Sequence, residues 1–347
     1  MIPRPGQDLS TLNTLHLPAR AELFAAPATD AALQALLVNR RYQGLPRTVL
    51  GEGSNVVLAD DIPGLVIHPA LRGLRCLADE GDTVIIEVGA GENWDAVVER
   101  TLAHGWYGLE NLSLIPGSAG AAPYQNIGAY GVELEQFLVS LDAVHLASGR
   151  RRRFTHGDCR FAYRDSFFRS AEPGEWVVLR LRLRLFLRPR FELSHQELRE
   201  QFLALPERER TAQSLRALVC GIRRSKLPHP DELANAGSFF KNPVISAVRH
   251  EQLRRQWPDL VSFPLSDGRY KVAAGWLLEQ AGWKGFREGA LGMHQRQALV
   301  LVHYGGASGR EVLGLARRLR ASVRQRFGIE LEQEPVILPP EVRDEIT

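Results

Sequence analysis

Residues 176–190 read WVVLRLRLRLFLRPR, and from Leu179 to Leu185 leucine and arginine alternate without a break. A helix cannot sort that order into faces, whereas a pleated strand sends successive side chains to opposite sides. The segment is therefore a half-buried strand, with leucines in a core and long arginine stems along the outer face. Hairpin-like strands surround it from about residue 141 to residue 187. Earlier, RTVLGEGSNVVLAD (residues 47–60) reads as strand, glycine turn, strand, and DTVIIEVGAGENW (residues 82–94) as a strand entering another glycine turn. WDAVVERTLAHGW has helical spacing, with Ala96, Val97, Leu102 and Ala103 on one side. Beyond Pro189 the character changes. HQELREQFLAL and LRALVCGIRRSKLP are helical, as are residues 247–256, 273–281 and 309–327. Short strands alternate with them, and IELEQEPVIL closes the chain as a last strand. The pattern is α+β, strand-heavy first and helix-rich second.

With 347 residues the chain has room for two or three domains and a sizeable core. Its 43 basic and 40 acidic residues leave a net charge of +3, too balanced to announce a nucleic-acid partner. The run Arg150–Arg153 follows the turn-like Ala147-Ser148-Gly149 and reads as a solvated hairpin tip. Cys76, Cys159 and Cys220 are odd in number and form no CxxC pair, which predicts neither disulfides nor a metal site and fits a reducing cytosol. The N-terminus MIPRPGQDLSTLNT lacks the apolar core of a signal peptide, and no apolar run reaches membrane-spanning length. A cytoplasmic protein is expected.

Three glycine turns follow strands: GEGSN (residues 51–55), GAGEN (residues 89–93) and PGSAGAAPYQNIGAYG (residues 116–131). Glycine lets backbone approach a ligand and aim N–H groups at phosphate, although any one of these also reads as an ordinary tight turn. GAGENW does not complete GxGxxG, and GxxxxGK[ST] is absent. The third turn holds 16 residues, nearly all small, and is expected to be a long structureless loop. Such loops are usually functional, and wrapping a large flat or diphosphate-bearing cofactor suits this one.

NAGSFFKNP (residues 235–243) poses a chemical question, because Ser238 sits between a small-residue turn and two phenylalanines. Its hydroxyl is either satisfied by nearby backbone or sheltered from bulk water to handle a proton.

GEGSNV, GAGENW, GLENLSLIPGSAGAAPYQNIGAYGVE, CRFAYRDSFF, NAGSFFKNP and LEQE occur in an order that resembles the UDP-N-acetylenolpyruvoylglucosamine reductase family. These flavoenzymes complete UDP-N-acetylmuramic acid synthesis for bacterial peptidoglycan. The resemblance runs from about residue 13 to residue 334, and looks like the family's longer type, with an extra loop segment before the third domain. It implies an FAD-binding domain of the vanillyl-alcohol-oxidase (PCMH) type in two subdomains, residues 1–70 and 71–226, with 328–347 returning to the second. A smaller α+β substrate domain, residues 227–327, completes the expected layout. Noncovalent FAD is implied, on Gly51, Gly53, Ser54, Asn55, Gly117, Gly120, Gln125, Asn126 and Gly128. Ala121 and Ala122 depart from relatives that carry hydroxyl residues there.

The reaction implied takes hydride from NADPH through the flavin to C3 of the enolpyruvyl group of UDP-N-acetylglucosamine enolpyruvate. Negative charge then builds at C2 and its carboxylate, so a cation and a proton donor are needed. The family motif carries the cationic role onto Arg164, whose other reading is a salt bridge to Asp165, and proton donation onto Ser238. Glu330, Glu332 and Glu334 alternate, so spacing does not choose among them; the Leu-Glu-x-Glu pattern selects Glu334, followed by Pro335 where the pattern has Val. Lys226, Asn242 and Gln297 match substrate positions, and His195 lies near the place of a loop tyrosine that closes over the substrate. A histidine there can cap a diphosphate and brings pH sensitivity near neutrality. A monomer with no nucleic-acid or membrane partner is expected. The alternative is another FAD-dependent oxidoreductase of the same fold.

Overall fold

A computed structural model describes residues 1–342, so the last five positions of the expected 328–347 segment lie outside the described residues. The chain divides into two compact units. The first comprises Met1–Gln7, Ala21–Gly53 and Ile62–Ser225, and the second Asp8–Arg20, Ser54–Asp61 and the chain from Lys226 onward.

The first unit is built around the alternating segment. Trp176–Phe186 is the middle strand of a five-stranded antiparallel sheet in the order Arg151–Thr155, Leu138–His145, Trp176–Phe186, Thr83–Gly89, Leu74–Asp79. A β-bulge at Leu179 sets its facing, because Asp142 pairs with Arg180 and Ala143 with Val178. Before the bulge the strand is buried on both faces. Trp176 and Val178 join a core with the helix Trp94–Ala103, while Val177 and Leu179 join a second core with the helix Asp30–Leu37. After it, Leu181, Leu183 and Leu185 point into the first core. The second core also takes residues from a sheet ordered Arg4–Asp8, Arg20–Ala25, Ile62–Ile67, Arg47–Val49.

The arginines of the outer face are matched by carboxylates. Arg180 pairs with Asp30, Arg184 reaches Glu80 at 3.2 Å, and Arg182 reaches Glu87 at 2.8 Å and Asp142 at 2.7 Å. The run at 150–153 is engaged as well. Arg151 meets Asp30 at 3.1 Å, Arg152 meets Asp158 at 2.9 Å, and Arg153 meets Asp142 at 2.9 Å.

Two expectations are corrected. The stretch 116–131 is not structureless: Ala119–Gln125 is a 3-10 helix, followed by a small hairpin of Gly128–Ala129 and Val132–Glu133. Its small side chains let the backbone dock closely, with Ala119 N donating to Glu92 O at 2.7 Å and Gly120 N to Ala90 O at 2.8 Å. The closing strand shrinks to Val336–Leu338, parallel to Val56–Leu58. Pro335 has no N–H to continue a ladder, so residues before it make only an isolated bridge, Gln333 to Phe240.

In the second unit a four-stranded sheet runs Ala234–Ser238, Val300–His303, Leu291–Met293, Arg287–Glu288. The helix Gly309–Phe327 starts with a reciprocal Ser308–Glu311 cap and stops at Gly328. A three-stranded sheet of Val244–Ile245, Tyr270–Val272 and Ser262–Pro264 lies among the helices Ala247–Gln256 and Ala274–Gln280.

Burial alone would raise the Asp142 carboxyl, but hydrogen bonds from Arg182 and Arg153 and their charges bring it down to about 2. A carboxyl lowered on folding stabilises above its unfolded value and loses that contribution as pH falls through the folded one. Asp142→Asn is expected to cost about 2 kcal/mol at neutral pH. In urea titrations the difference from the parent should shrink between about pH 4 and pH 2. A difference that persists at pH 2 would assign the cost to packing.

Candidate active site

The three glycine turns meet inside and at the edge of the first unit. Trp94 N donates to Gly117 O at 2.9 Å, and Asn93 bridges to Ser118. Asn93 also caps its helix, accepting from Ala96 N at 3.1 Å, while its Nδ2 donates to the Glu52 carboxylate at 3.0 Å. Glycine is required where the turns touch: a Cβ on Gly51 would lie 2.6 Å from Ser118 Oγ, and one on Gly120 2.6 Å from Ala90 Cβ. Gly53 and Gly117 hold left-handed conformations, φ +64° and +119°, of the kind that turn successive N–H groups toward one anion. Backbone bearing only hydrogen, methyl and hydroxymethyl side chains at residues 117–122 fits a diphosphate-bearing flavin. Ala121 is exposed and Ala122 buried.

The other first-unit candidates divide by task. Gln125 ends the 3-10 helix. Asn126 is completely buried, donates to Glu133 at 2.8 Å and accepts from Glu135 N at 3.0 Å, so its amide holds the hairpin. Gly128 offers its carbonyl to Arg164 Nη2 at 3.0 Å. Arg164 sits at φ +55° in a tight turn closed by reciprocal bonds between Ala162 and Asp165. Its guanidinium carbon lies 5.2 Å from the Tyr163 ring centre. The Asp165 carboxylate accepts from Ser166 N at 2.8 Å and Ser170 Oγ at 2.5 Å, locking the turn that presents Arg164.

Two residues that were not among the candidates, Tyr130 and Arg223, interact with one another, and Arg223 also feels the charge of Arg164. Half-buried Tyr130, at φ +50°, meets the His195 ring edge-on at 4.8 Å. His195 caps the helix Gln196–Ala204, accepting from Leu198 N. Burial raises the Tyr130 hydroxyl, and Arg223 opposes that rise. Burial likewise lowers the Arg223 guanidinium; Tyr130, Cys220 and Asp95 counter this, and the charge of Arg164 adds to it. Arg223 lies three residues before Lys226, the last residue of the helix Ala212–Lys226, and that spacing was its only sequence signal.

In the second unit Ser238 is aimed by a bulge. Asn235 pairs with Val302 and Ser238 with Val300, leaving Ala236 and Gly237 opposite one residue. Gly237 has φ +69°, and its N–H donates to Asn235 Oδ1 at 2.9 Å. A Cβ there would meet nothing within 4 Å, so the backbone angle alone calls for glycine. Phe239 and Phe240 are fully buried while Ser238 stays half-buried. The aromatic rings anchor the segment and the hydroxyl remains reachable.

The three glutamates have different neighbours. Glu332 meets Lys241 Nζ at 2.5 Å, and Glu330 meets Arg324 at 3.4 Å. Glu334 N donates to Phe239 O at 3.0 Å, one residue from Ser238. Asn55 lies alongside: its Nδ2 donates to Glu334 O at 3.4 Å, and its carbonyl accepts from Val336 N at 3.0 Å. Ser54 O accepts from Thr14 Oγ1 at 3.4 Å. Asn242 and Gln297, 55 positions apart, both face the start of the helix Ala274–Gln280. Asn242 Oδ1 accepts from Ala274 N at 2.9 Å, and a Cβ on Gly275 would lie 2.8 Å from Gln297 Oε1. His294, also unforeseen, is 9 % exposed with Nδ1 unpartnered. Among the described residues no helix is long and apolar enough to cross a membrane.

Residues 21–155 match the model of an FAD binding domain, so the chain is an FAD-containing oxidoreductase. Residues 229–338 match the C-terminal domain of UDP-N-acetylenolpyruvoylglucosamine reductase. The enzyme of that name from Pseudomonas aeruginosa is 49 % identical over 331 residues, 94 % of this chain and 96 % of the relative. That from Burkholderia cenocepacia is 48 % identical over 337 residues, 96 % of each. The crystal structure of the Thermus caldophilus enzyme superimposes with a TM-score of 0.65 at 25 % identity, covering 97 % of this chain and 100 % of that one. The chain belongs to the UDP-N-acetylenolpyruvoylglucosamine reductase family, which acts in peptidoglycan precursor synthesis, and the α+β flavin-binding fold expected from its sequence is borne out.

Gly237→Ala is expected to cost about 1–2 kcal/mol, because a side chain disfavours the left-handed angle. It should also cut turnover, since relaxing the bulge re-aims Ser238. Thermal melting and steady-state kinetics check both; full activity in a destabilised variant would separate the bulge from catalysis.

Proposed function

We propose that this chain reduces UDP-N-acetylglucosamine enolpyruvate to UDP-N-acetylmuramate at the expense of NADPH, in the cytoplasm and as a monomer. Residues 1–70 and 71–226 are read as the two flavin-binding subdomains and 227–327 as the substrate domain. Gly51, Gly53, Ser54, Asn55, Gly117, Gly120, Gln125, Asn126 and Gly128 would hold FAD noncovalently, and the bound flavin would supply the hydride chemistry that links NADPH to C3 of the enolpyruvyl group. The Arg164 guanidinium binds the neighbouring carboxylate by two parallel hydrogen bonds and stabilises the charge delocalised from C2. It keeps its proton throughout. The Ser238 hydroxyl gives a proton to C2, so that one hydride and one proton complete the reduction. Glu334 lies beside the Ser238 segment and assists the proton's replacement. Lys226, Asn242 and Gln297 bind the nucleotide sugar, and His195 faces its diphosphate.

The observation that supports this reading is the Gly237 bulge, which leaves Ser238 half-buried next to the buried Phe239, whose carbonyl accepts from Glu334 N. An ordinary turn-capping serine would need neither the bulge nor the phenylalanine anchors.

The test is anaerobic and in two halves: reduce the flavin with NADPH, then add UDP-N-acetylglucosamine enolpyruvate and follow flavin absorbance. Rapid reoxidation is expected for the parent. Ser238→Ala should reduce normally and reoxidise about 10²–10⁴-fold more slowly. Flavin that reduces but ignores this substrate would mark another oxidoreductase of the same fold, and unimpaired reoxidation of Ser238→Ala would remove the serine from its role.

A further inference from the structure

Asn111 is 2 % exposed and has no part in the chemistry above. Its Nδ2 donates to the carbonyl of Tyr130 at 2.8 Å and to that of Glu192 at 3.0 Å. A side-chain amide has two hydrogens, and both are spent. The turn carrying it is tied from several directions. Gly108 N donates to the Glu110 carboxylate at 2.8 Å, Ser113 Oγ to Glu110 O at 2.6 Å, Trp94 Nε1 to Leu112 O at 3.0 Å, and Leu114 N to Asp95 at 2.6 Å. Arg216, on the helix Ala212–Lys226, clasps the same Asp95 at 2.8 Å.

The two segments that Asn111 joins each rest one side chain, Tyr130 and Leu193, against the buried cluster of Leu198, Phe202, Leu215, Val219 and Ile222. Tyr130 is a non-glycine residue at φ +50°, a conformation that costs about 1–2 kcal/mol without compensation. Residues 189–194 form neither helix nor strand, and Phe191, Glu192 and Ser194 are exposed. The two segments are nonetheless fitted closely: a Cβ on Gly131 would lie 2.0 Å from Ser194 Oγ, and the next residue, His195, meets Tyr130 edge-on. The buried amide thus supplies the polar tie, beside the apolar packing, between a strained hairpin and a segment without regular structure.

We propose that Asn111 is a positioning residue for substrate binding, holding Tyr130 and the 192–195 segment together as one preformed wall. The proposal rests on the reading that His195 faces the substrate. Ordering this wall before the ligand arrives removes an entropic cost from binding and leaves the chemical step alone. Without the amide, two carbonyls lose their donor, and the exposed segment gains by turning its own toward water.

The test uses the flavin-loaded enzyme. Asn111→Ala should keep its flavin absorbance and rate of reduction by NADPH. Its saturated reoxidation rate should stay within about twofold, while KM for the enolpyruvyl substrate rises about five- to tenfold. His195→Ala should raise the same KM, and the double variant should fall short of the product of the single effects, because both act through one wall. Multiplicative effects, or equal losses in flavin content and kcat, would make Asn111 a folding residue and overturn the proposal. If Asn111→Ala does not fold, Gly131→Ala presses on the same contact from an exposed site and should give the same KM-selective defect; an unchanged KM there overturns the proposal. A KM raised by His195→Ala but unmoved by Asn111→Ala sinks this inference alone. Unchanged KM in both His195→Ala and Tyr130→Phe sinks the substrate-wall reading beneath it.

Discussion

The backbone at Leu179 ties the first unit together. As the extra residue of a bulge, it inverts the facing of its strand, so one strand serves two cores. Its carbonyl also accepts from Ala90 N at 2.9 Å, which pins the second glycine turn to the sheet. Ala90 in turn receives Gly120 N on its carbonyl, and a side chain on Gly120 would collide with it. The position of the expected cofactor turns thus descends from one register shift in the sheet below them. Losing that shift would move every later side chain of the strand to the opposite face.

The second unit solves a related problem with a different bulge. A serine at the end of a paired strand would ordinarily have its direction set by the pleat. Inserting Ala236 and Gly237 breaks that constraint, and the Asn235 side chain holds the break in place through Gly237 N. Phe239 and Phe240 then immobilise the chain beyond it, at the cost of burying two large rings beside a polar segment. The backbone of Glu334 pairs into the same stretch, so serine and glutamate reach one neighbourhood although 96 positions separate them.

Much of this was legible in residue order. The Leu–Arg alternation announced a half-buried strand, and the glycine turns announced places where backbone must come close. The reading faltered where small residues were taken for absence of structure. AGAAPYQ forms a 3-10 helix because short side chains permit a tight coil against a neighbouring turn, which composition alone does not express. It faltered again at IELEQEPVIL, where an apolar alternation outran what Pro335 allows in a ladder.

By itself the sequence determined what depends on near neighbours along the chain: strand facing, helix spacing, the demand for glycine at a left-handed angle, and motif blocks specific enough to place the family. Tertiary structure decided partnership. Glu330, Glu332 and Glu334 are equivalent by spacing, and the fold brings Glu332 to Lys241, Glu330 to Arg324 and the backbone of Glu334 to Phe239. The amide of Asn126 is spent inside a hairpin, and Tyr130 acquires significance from His195, 65 positions away. Periodicity is local because dihedral preferences are local. Ion pairs, close turn contacts and buried amides join residues far apart in the chain, and which of them meet is settled only when the cores have packed.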